Sequence, residues 1–270
     1  MGEHSLSSCG QIVRDHDRDR FLLSMFAPPE CREDLWALFA YNHELAKTRE
    51  VVSDSTLGLI RLQWWRDAIA SVYENKVVPD NEIVQGLSRA IKAHDLPREP
   101  FETLAYAREF DLENVSPGNL EGLLNYSDFT STPLMKLAVK ITGDDPDMEP
   151  VYPIAVNYAL AGVLRAVPAH AGQGRCYLPE DLMVKHIVTK EKLFLFERQA
   201  GLPGLLAEIA EVHTRGIRPD NPFLKASGLL AEIYFRHLKA RKYNIFDPQY
   251  ALEPAFKVLR LTLGAKFIPF

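Results

Sequence analysis

Apolar residues recur at spacings of three and four in one segment after another between Asp17 and Lys266. No run keeps the period of two that a half-buried strand requires. That pattern restricts the chain to an all-α fold, and proline, glycine and small polar clusters punctuate it. Residues 1–16 are polar and are expected to form a loose leading segment. Residues 17–26 read as a short helix stopped by Pro28 and Pro29. Residues 31–50 read as a stronger one, with Leu35, Leu38, Phe39, Asn42 and Ala46 on one face. The next helix, 53–73, takes Ser53 or Ser55 as its cap and Leu57, Ile60, Trp64, Ala68 and Val72 as its apolar face. Trp64, Trp65 and Arg66 on it are expected to pack and pair structurally.

Further helices are expected over 81–93, 99–112 and 118–137. Ser127-Asp128 and Thr130-Ser131-Thr132 interrupt the last of these, and Pro133 kinks it. Clustered aspartates with glycine and proline over 143–147 make a turn rather than a ligand set. The apolar run 151–167 should end or bend at Pro168, which lacks a donor and biases Val167 away from helical backbone. A helix begins after Leu178 with Pro179 in its first turn, and 188–196 and 200–215 continue helically. Pro219 and Pro222 mark a loop. The helix 223–242 has a basic end, Arg236, Lys239, Arg241 and Lys242, suited to its C-terminus. A turn follows at 244–248, and 254–266 is a last amphipathic helix.

The chain has 270 residues, 47% of them hydrophobic and 25% charged, which is ordinary globular composition and enough for one large core. No linker-like shift divides residues 17–270, which are expected to form one domain. The net charge of −5, without a basic stripe interleaved with aromatics, gives no nucleic-acid signature. Cys9, Cys31 and Cys176 are odd in number and far apart, which argues against a disulfide framework or a zinc site and for a reducing compartment. No stretch reaches about 18 uncharged apolar residues, so no transmembrane segment is expected; the nearest, 151–167, contains Asn157 and Arg165. The first twenty residues lack the apolar core of a secretory signal. They also carry acids that a mitochondrial presequence avoids. A cytoplasmic location is expected, with peripheral contact at a membrane left open.

Several side chains have the chemistry of a binding site. His43, Lys47 and Glu50 share one helical face at i, i+4 and i+7. Arg61 and Gln63 lie on the next helix, with a solvated face as the alternative. Glu109 and Asp111 either line a cavity or form salt bridges near a helix end. Arg165 and Arg175 either grip a phosphate or carboxylate bidentately or pair with Asp111, Glu109 or Glu44. His170 and Tyr177 lie close to them in sequence.

The order Leu164-Arg165-Ala166-Val167-Pro168-Ala169-His170, then Gly174-Arg175-Cys176-Tyr177-Leu178-Pro179, resembles the second half of the squalene/phytoene synthase family. That family carries Leu-Arg-Asp-Val-x-Glu-Asp followed by Gly-Arg-x-Tyr-Leu-Pro. Its first aspartate motif, laid onto Ala40-Tyr41, falls on Ala46, Lys47 and Glu50, so one carboxylate of three survives. Asp111 matches its acidic Asp-Leu segment, and residues 118–137 match a region that lines the substrate cavity, here narrower or more polar. The resemblance implies a single-domain, isoprenoid-synthase-like helical bundle around a central cavity. It also implies that the Mg²⁺ used by the synthases is lost, because that ion needs near-octahedral oxygen ligands that alanine and an ammonium do not supply.

Leu59-Ile60-Arg61-Leu62-Gln63-Trp64-Trp65 and the Leu-Arg-Ala-Val-Pro-Ala-His run look like the non-catalytic branch of this family, which includes an assembly factor of respiratory complex I (NADH dehydrogenase). That likeness implies a pseudoenzyme whose partners are complex I subunits or assembly intermediates. It implies peripheral contact with the inner membrane, on the matrix side in a eukaryotic cell, and an isoprenoid or lipid ligand in the old cavity. The alternative is a residual prenyl transferase, with Lys47, Arg165 and Arg175 replacing the metal as electrostatic clamps. Candidate ligand-binding residues are His43, Lys47, Arg61, Asp111, Arg165, His170, Arg175 and Tyr177, with no metal ligand and no catalytic residue assigned.

Overall fold

The computed structural model describes residues 6–250 and 252–267, with side chains through 265. All regular structure among them is helical. The chain forms two compact units, each drawn from separate stretches. The first comprises residues to Glu113, with Pro133–Val151 and Asn221–Phe223. The second comprises Asn114–Thr132, Tyr152–Asp220 and residues from Leu224 on.

In the first unit, α1 (Ser8–His16) replaces the loose segment expected there. Ser7 caps it, accepting from the Gly10 amide at 3.1 Å, and Val13 on it is fully buried. Asp17 then caps α2 (Arg18–Ser24). A 3₁₀ turn over Pro29–Cys31 leads into α3 (Arg32–Ala46), the spine of the unit, which buries nine of its fifteen residues. It packs on α6 (Glu82–His94), where Gly86 lies so close to Ala37 that an added Cβ would sit 2.8 Å from the alanine methyl.

The helix expected over 31–50 breaks at Lys47, and α4 (Thr48–Val51) follows as one separate turn. Helix α5 (Ser55–Tyr73) is capped by Asp54, which accepts from the Leu57 amide at 3.0 Å, rather than by Ser53 or Ser55. Its buried face is Gly58, Leu62, Trp65, Ala68, Ile69 and Val72. Leu57, Ile60 and Trp64, expected inside, are exposed. The reason is tertiary: Trp65 packs edge-on against Tyr41, and the Gly58 backbone approaches Leu112. Helices α7 (Glu99–Ala107) and α8 (Glu109–Glu113) split the helix expected over 99–112.

Helix α9 (Leu120–Ile141) passes through Pro133 without a break. Ser127 and Thr130 do not interrupt it, because their hydroxyls donate back to the Leu123 and Tyr126 carbonyls of the same helix, at 2.9 and 2.7 Å. The turn after it, at 143–147, is present, with Gly143 at φ +89° and Asp144 accepting from Asn221 Nδ2.

The second unit is built on α10 (Val151–Gly172). This helix is long and apolar enough in composition to cross a membrane, yet half of the stretch is buried in the protein. Its polar residues are engaged: Asn157 bonds the Thr214 backbone at both ends of its amide, at 2.7 and 3.0 Å. The expected break at Pro168 does not occur. Proline removes the donor that would reach the Leu164 carbonyl four residues back, and the buried Tyr250 hydroxyl supplies one instead, at 2.7 Å. Around α10 lie α11 (Glu180–Lys185), α12 (Lys190–Phe194), α13 (Leu202–Glu211), α14 (Pro222–Ala240) and α15 (Lys257–Phe267).

Candidate functional site

The eight sequence-chosen residues fall into two groups, one in each unit. In the first unit, Glu44 near the end of α3 is the hub. Its largely buried carboxylate accepts from Arg61 Nη2 on α5 at 2.5 Å and pairs with Lys47, three residues along. Lys47 and Arg61 are therefore already neutralised by protein. Glu50 is exposed, and Ala46 offers only a methyl group. On the same helix, the His43 ring stacks on His16 at 4.7 Å and nearly parallel. Burial, the neighbouring His16 and the Lys47 ammonium together hold the His43 imidazole below its ordinary range. Asp111 is buried and pairs with Arg108 at 3.2 Å, while Glu109 pairs with Arg66 across to α5. Glu44 thus pairs with Lys47 and Arg61, and Glu109 with Arg66.

In the second unit, α10 and the segment after it bring His170, Arg175 and Tyr177 together. Gly174, at φ +66°, turns the chain back so that its amide and that of Arg175 bond the Ala171 and His170 carbonyls at 3.0 and 2.8 Å. The Tyr177 ring then lies 4.7 Å from His170 and stacks on Tyr126 of α9 at 5.3 Å. Ser116 donates to the Cys176 carbonyl, and the Glu180 amide to that of Pro117, fixing residues 176–180 against 116–117. The Arg165 guanidinium lies 3.5 Å over the Tyr234 ring. Ala166 and Ala169 carry no polar side-chain atom. Arg175 is half-buried and forms no ion pair among the described residues.

Sequence reasoning passed over Glu44 as a hub and Tyr126 and Tyr234 as ring partners. Glu44 was discoverable from its i, i+3 spacing to Lys47; the tyrosines had no local signal. It also read Asn42 as one more core residue. Its side chain is buried, and its amide oxygen has no hydrogen-bond partner among the described residues. No three His, Cys, Asp or Glu side chains gather in a metal-binding group among the described residues. A separate groove of about 430 Å³ in the second unit, bordered by Asn157, Thr214, Lys225 and Glu232, includes none of the eight.

Comparison with known proteins places this geometry in context. The chain is 27% identical over 254 residues to the mouse NADH dehydrogenase (ubiquinone) complex I, assembly factor 6, covering 89% of this chain and 75% of that one. The human protein of the same name is 26% identical over the same coverage. Phytoene synthase 1 of Arabidopsis thaliana is 21% identical over 72% of this chain and 47% of its own length. Among solved structures, a dehydrosqualene synthase superposes with a TM-score of 0.76 at 17% identity, covering 95% of this chain and 93% of that one. A squalene synthase from Alicyclobacillus acidocaldarius gives 0.73 at 18% identity, covering 88% and 94%. The isoprenoid-synthase-like helical fold is shared with both. Residues 13–253 match the squalene/phytoene synthase family, and the chain belongs to it.

Proposed function

We propose that this chain is a squalene/phytoene synthase-like pseudoenzyme that acts in the assembly of respiratory complex I. One observation carries the reading: at both places where the family resemblance puts aspartates, the side chains do not fit a magnesium cluster. One place has Ala46, a Lys47 already paired with Glu44, and an exposed Glu50. The other has Ala166, Ala169 and a His170 packed on Tyr177. Mg²⁺ bridging a diphosphate needs several protein oxygens in near-octahedral array, and these positions supply one. The similarity to complex I assembly factor 6 over 89% of the chain supports the assembly role.

On this reading the partners are complex I subunits or assembly intermediates, and no metal cofactor is used. The protein works in the cytoplasm at the inner membrane, or on the matrix side in a eukaryotic cell, as a peripheral protein. An isoprenoid or other apolar ligand occupies the remnant of the substrate site. Deleting the gene and resolving complex I on native gels tests the assembly role. Loss of the mature complex, restored by the wild-type gene, is expected; full assembly in the deletion strain overturns it.

A second reading, residual prenyl transfer, draws support from Arg175, which forms no ion pair among the described residues. Purified protein incubated with farnesyl or geranylgeranyl diphosphate, with and without Mg²⁺, decides between them. Formation of a condensed product would replace the pseudoenzyme reading with this one.

A further inference from the structure

The groove of about 430 Å³ in the second unit has no part in the assembly role, and three segments build its walls. Ile154 and Asn157 border it from one face of α10. Lys225, Leu229, Glu232 and Arg236 border it from α14, at the spacings of four, three and four that share one helical face. The two helices approach closely here, since a Cβ added to Gly228 would sit 3.3 Å from the Ile154 side chain. Ile154 and Leu229 are buried, so the floor is apolar. Residues 214–220 form the third side. Asn157 anchors their start through both the amide and the carbonyl of Thr214, and Gly216, at φ +76°, turns the chain.

Four cations border the groove, and two of them are engaged within the protein. Arg236 pairs with Glu232 at 2.8 Å, and Arg215 with Glu211 at 3.1 Å. Glu232 also meets the His213 ring at 3.3 Å. The His213 bond, then the Arg236 guanidinium, hold its carboxyl down at about 2, so it stays ionised and balanced internally. The side chains of Arg218 and Lys225 form no ion pair or hydrogen bond among the described residues. Arg218 is exposed, and Lys225 is half-buried. Asp220 is the one acid of the lining without a partner, and against these two cations it leaves a surplus of one positive charge. A half-buried ammonium with no carboxylate beside it favours an anion at its head. A guanidinium and an ammonium on separate segments suit the three terminal oxygens of a phosphate, whereas a single arginine takes both oxygens of a carboxylate. The volume is that of a small-molecule site, and its floor suits an apolar body.

We propose that this groove binds a phosphate monoester with a short apolar body, its phosphate on Arg218 and Lys225 and its apolar part against Ile154 and Leu229. Calorimetric titration of the whole protein with hexyl phosphate tests it, beside hexanoate, hexanol and inorganic phosphate. Hexyl phosphate should bind most tightly, inorganic phosphate more weakly and hexanol not at all, and binding should weaken as salt rises. Arg218→Gln and Lys225→Gln should each weaken hexyl phosphate binding about tenfold, the loss of one charge-assisted contact. Asp220→Asn should tighten it by removing the opposing charge. These three side chains have no partner among the described residues, so the thermal unfolding midpoint should stay in place in each variant. Co-sedimentation with phosphatidylcholine vesicles containing phosphatidic acid separates two sources of the same chemistry. Vesicle binding that Arg218→Gln and Lys225→Gln abolish assigns the phosphate to a lipid headgroup in this groove; hexyl phosphate binding without vesicle binding assigns it to a soluble ester. If the wild type binds neither, or if both variants bind as the wild type does, the site is overturned. Tighter binding of hexanoate than of hexyl phosphate overturns the phosphate assignment. Each of these results leaves the complex I assay unaffected.

Discussion

The region around Glu44 and the region around His170 lie where the family resemblance puts its two aspartate motifs, and they are filled by different physics. Around Glu44 the positive charge has become part of the protein. Lys47 and Arg61 converge on one carboxylate, and the network closes on itself. Around His170 the carboxylates of the family motif are replaced by apolar and aromatic side chains. Ala166 and Ala169 stand with a stack of His170, Tyr177 and Tyr126, and Pro168 is tolerated in mid-helix through Tyr250. The lesson is that an ion-binding geometry is dismantled by internal pairing or by aromatic packing, and each leaves its own energetic signature. Pairing is sensitive to charge removal and to salt, whereas packing is sensitive to volume.

The largest effect should come from the packed region. Tyr177→Ala removes a buried ring from between Tyr126 and His170, and urea denaturation should show a loss of about 3 kcal/mol. A loss under about 1 kcal/mol would mean the stack is incidental and would break the contrast. Tyr250→Phe should cost about 2 kcal/mol by orphaning the buried Leu164 carbonyl. Adding Pro168→Ala to that variant returns a backbone donor and should recover most of the loss. Absence of recovery in this double-mutant cycle would mean Tyr250 acts through something other than the proline.

In the paired region, Glu44→Gln should cost about 1 kcal/mol, since Lys47 and Arg61 are each about one-third exposed and partly screened by solvent. The loss should shrink in 1 M salt, while that of Tyr177→Ala should not. The smallest effect is a pH slope. The His43 imidazole is held low in the folded protein, so the unfolded chain binds its proton more readily. Stability should therefore rise with pH toward 6.5, remain full above it, and fall as pH drops below it. His43→Leu should flatten that part of the profile in chemical denaturation at stepped pH. An unchanged slope would place the sensitive group elsewhere.

Much of the fold was legible, because helical periodicity is local. The helices from α2 to α15 lie close to their expected places, and the turn at 143–147 follows from its glycine and aspartates. What could not be read depended on distant partners. Helix α5 carries apolar residues on several sides, so its spacing allows more than one buried face. The choice was made by Tyr41 and Leu112, residues far away in sequence. Pro168 obeys the local rule against mid-helix proline until a hydroxyl 82 residues later, that of Tyr250 on the Leu164 carbonyl, cancels it. The loose segment expected at the start failed for a similar reason. Val13 had little periodic company in sequence, yet it finds a core to enter. The candidate site was legible in its residue types and not in their engagements. That Lys47, Arg61 and Arg165 are occupied by Glu44 and Tyr234 is a fact of tertiary packing.

The two units each draw on separate stretches of chain, and this has a bearing on biosynthesis. The first unit lacks part of its substance until Asn221–Phe223 has been made, although its opening stretch closes at Glu113. A nascent polypeptide stopped after residue 113 lacks Pro133–Val151 and should expose apolar helix faces that this stretch normally meets. For the same reason, neither half can be excised as a continuous fragment that keeps its own core. Truncation alleles should behave as complete losses rather than as partial ones.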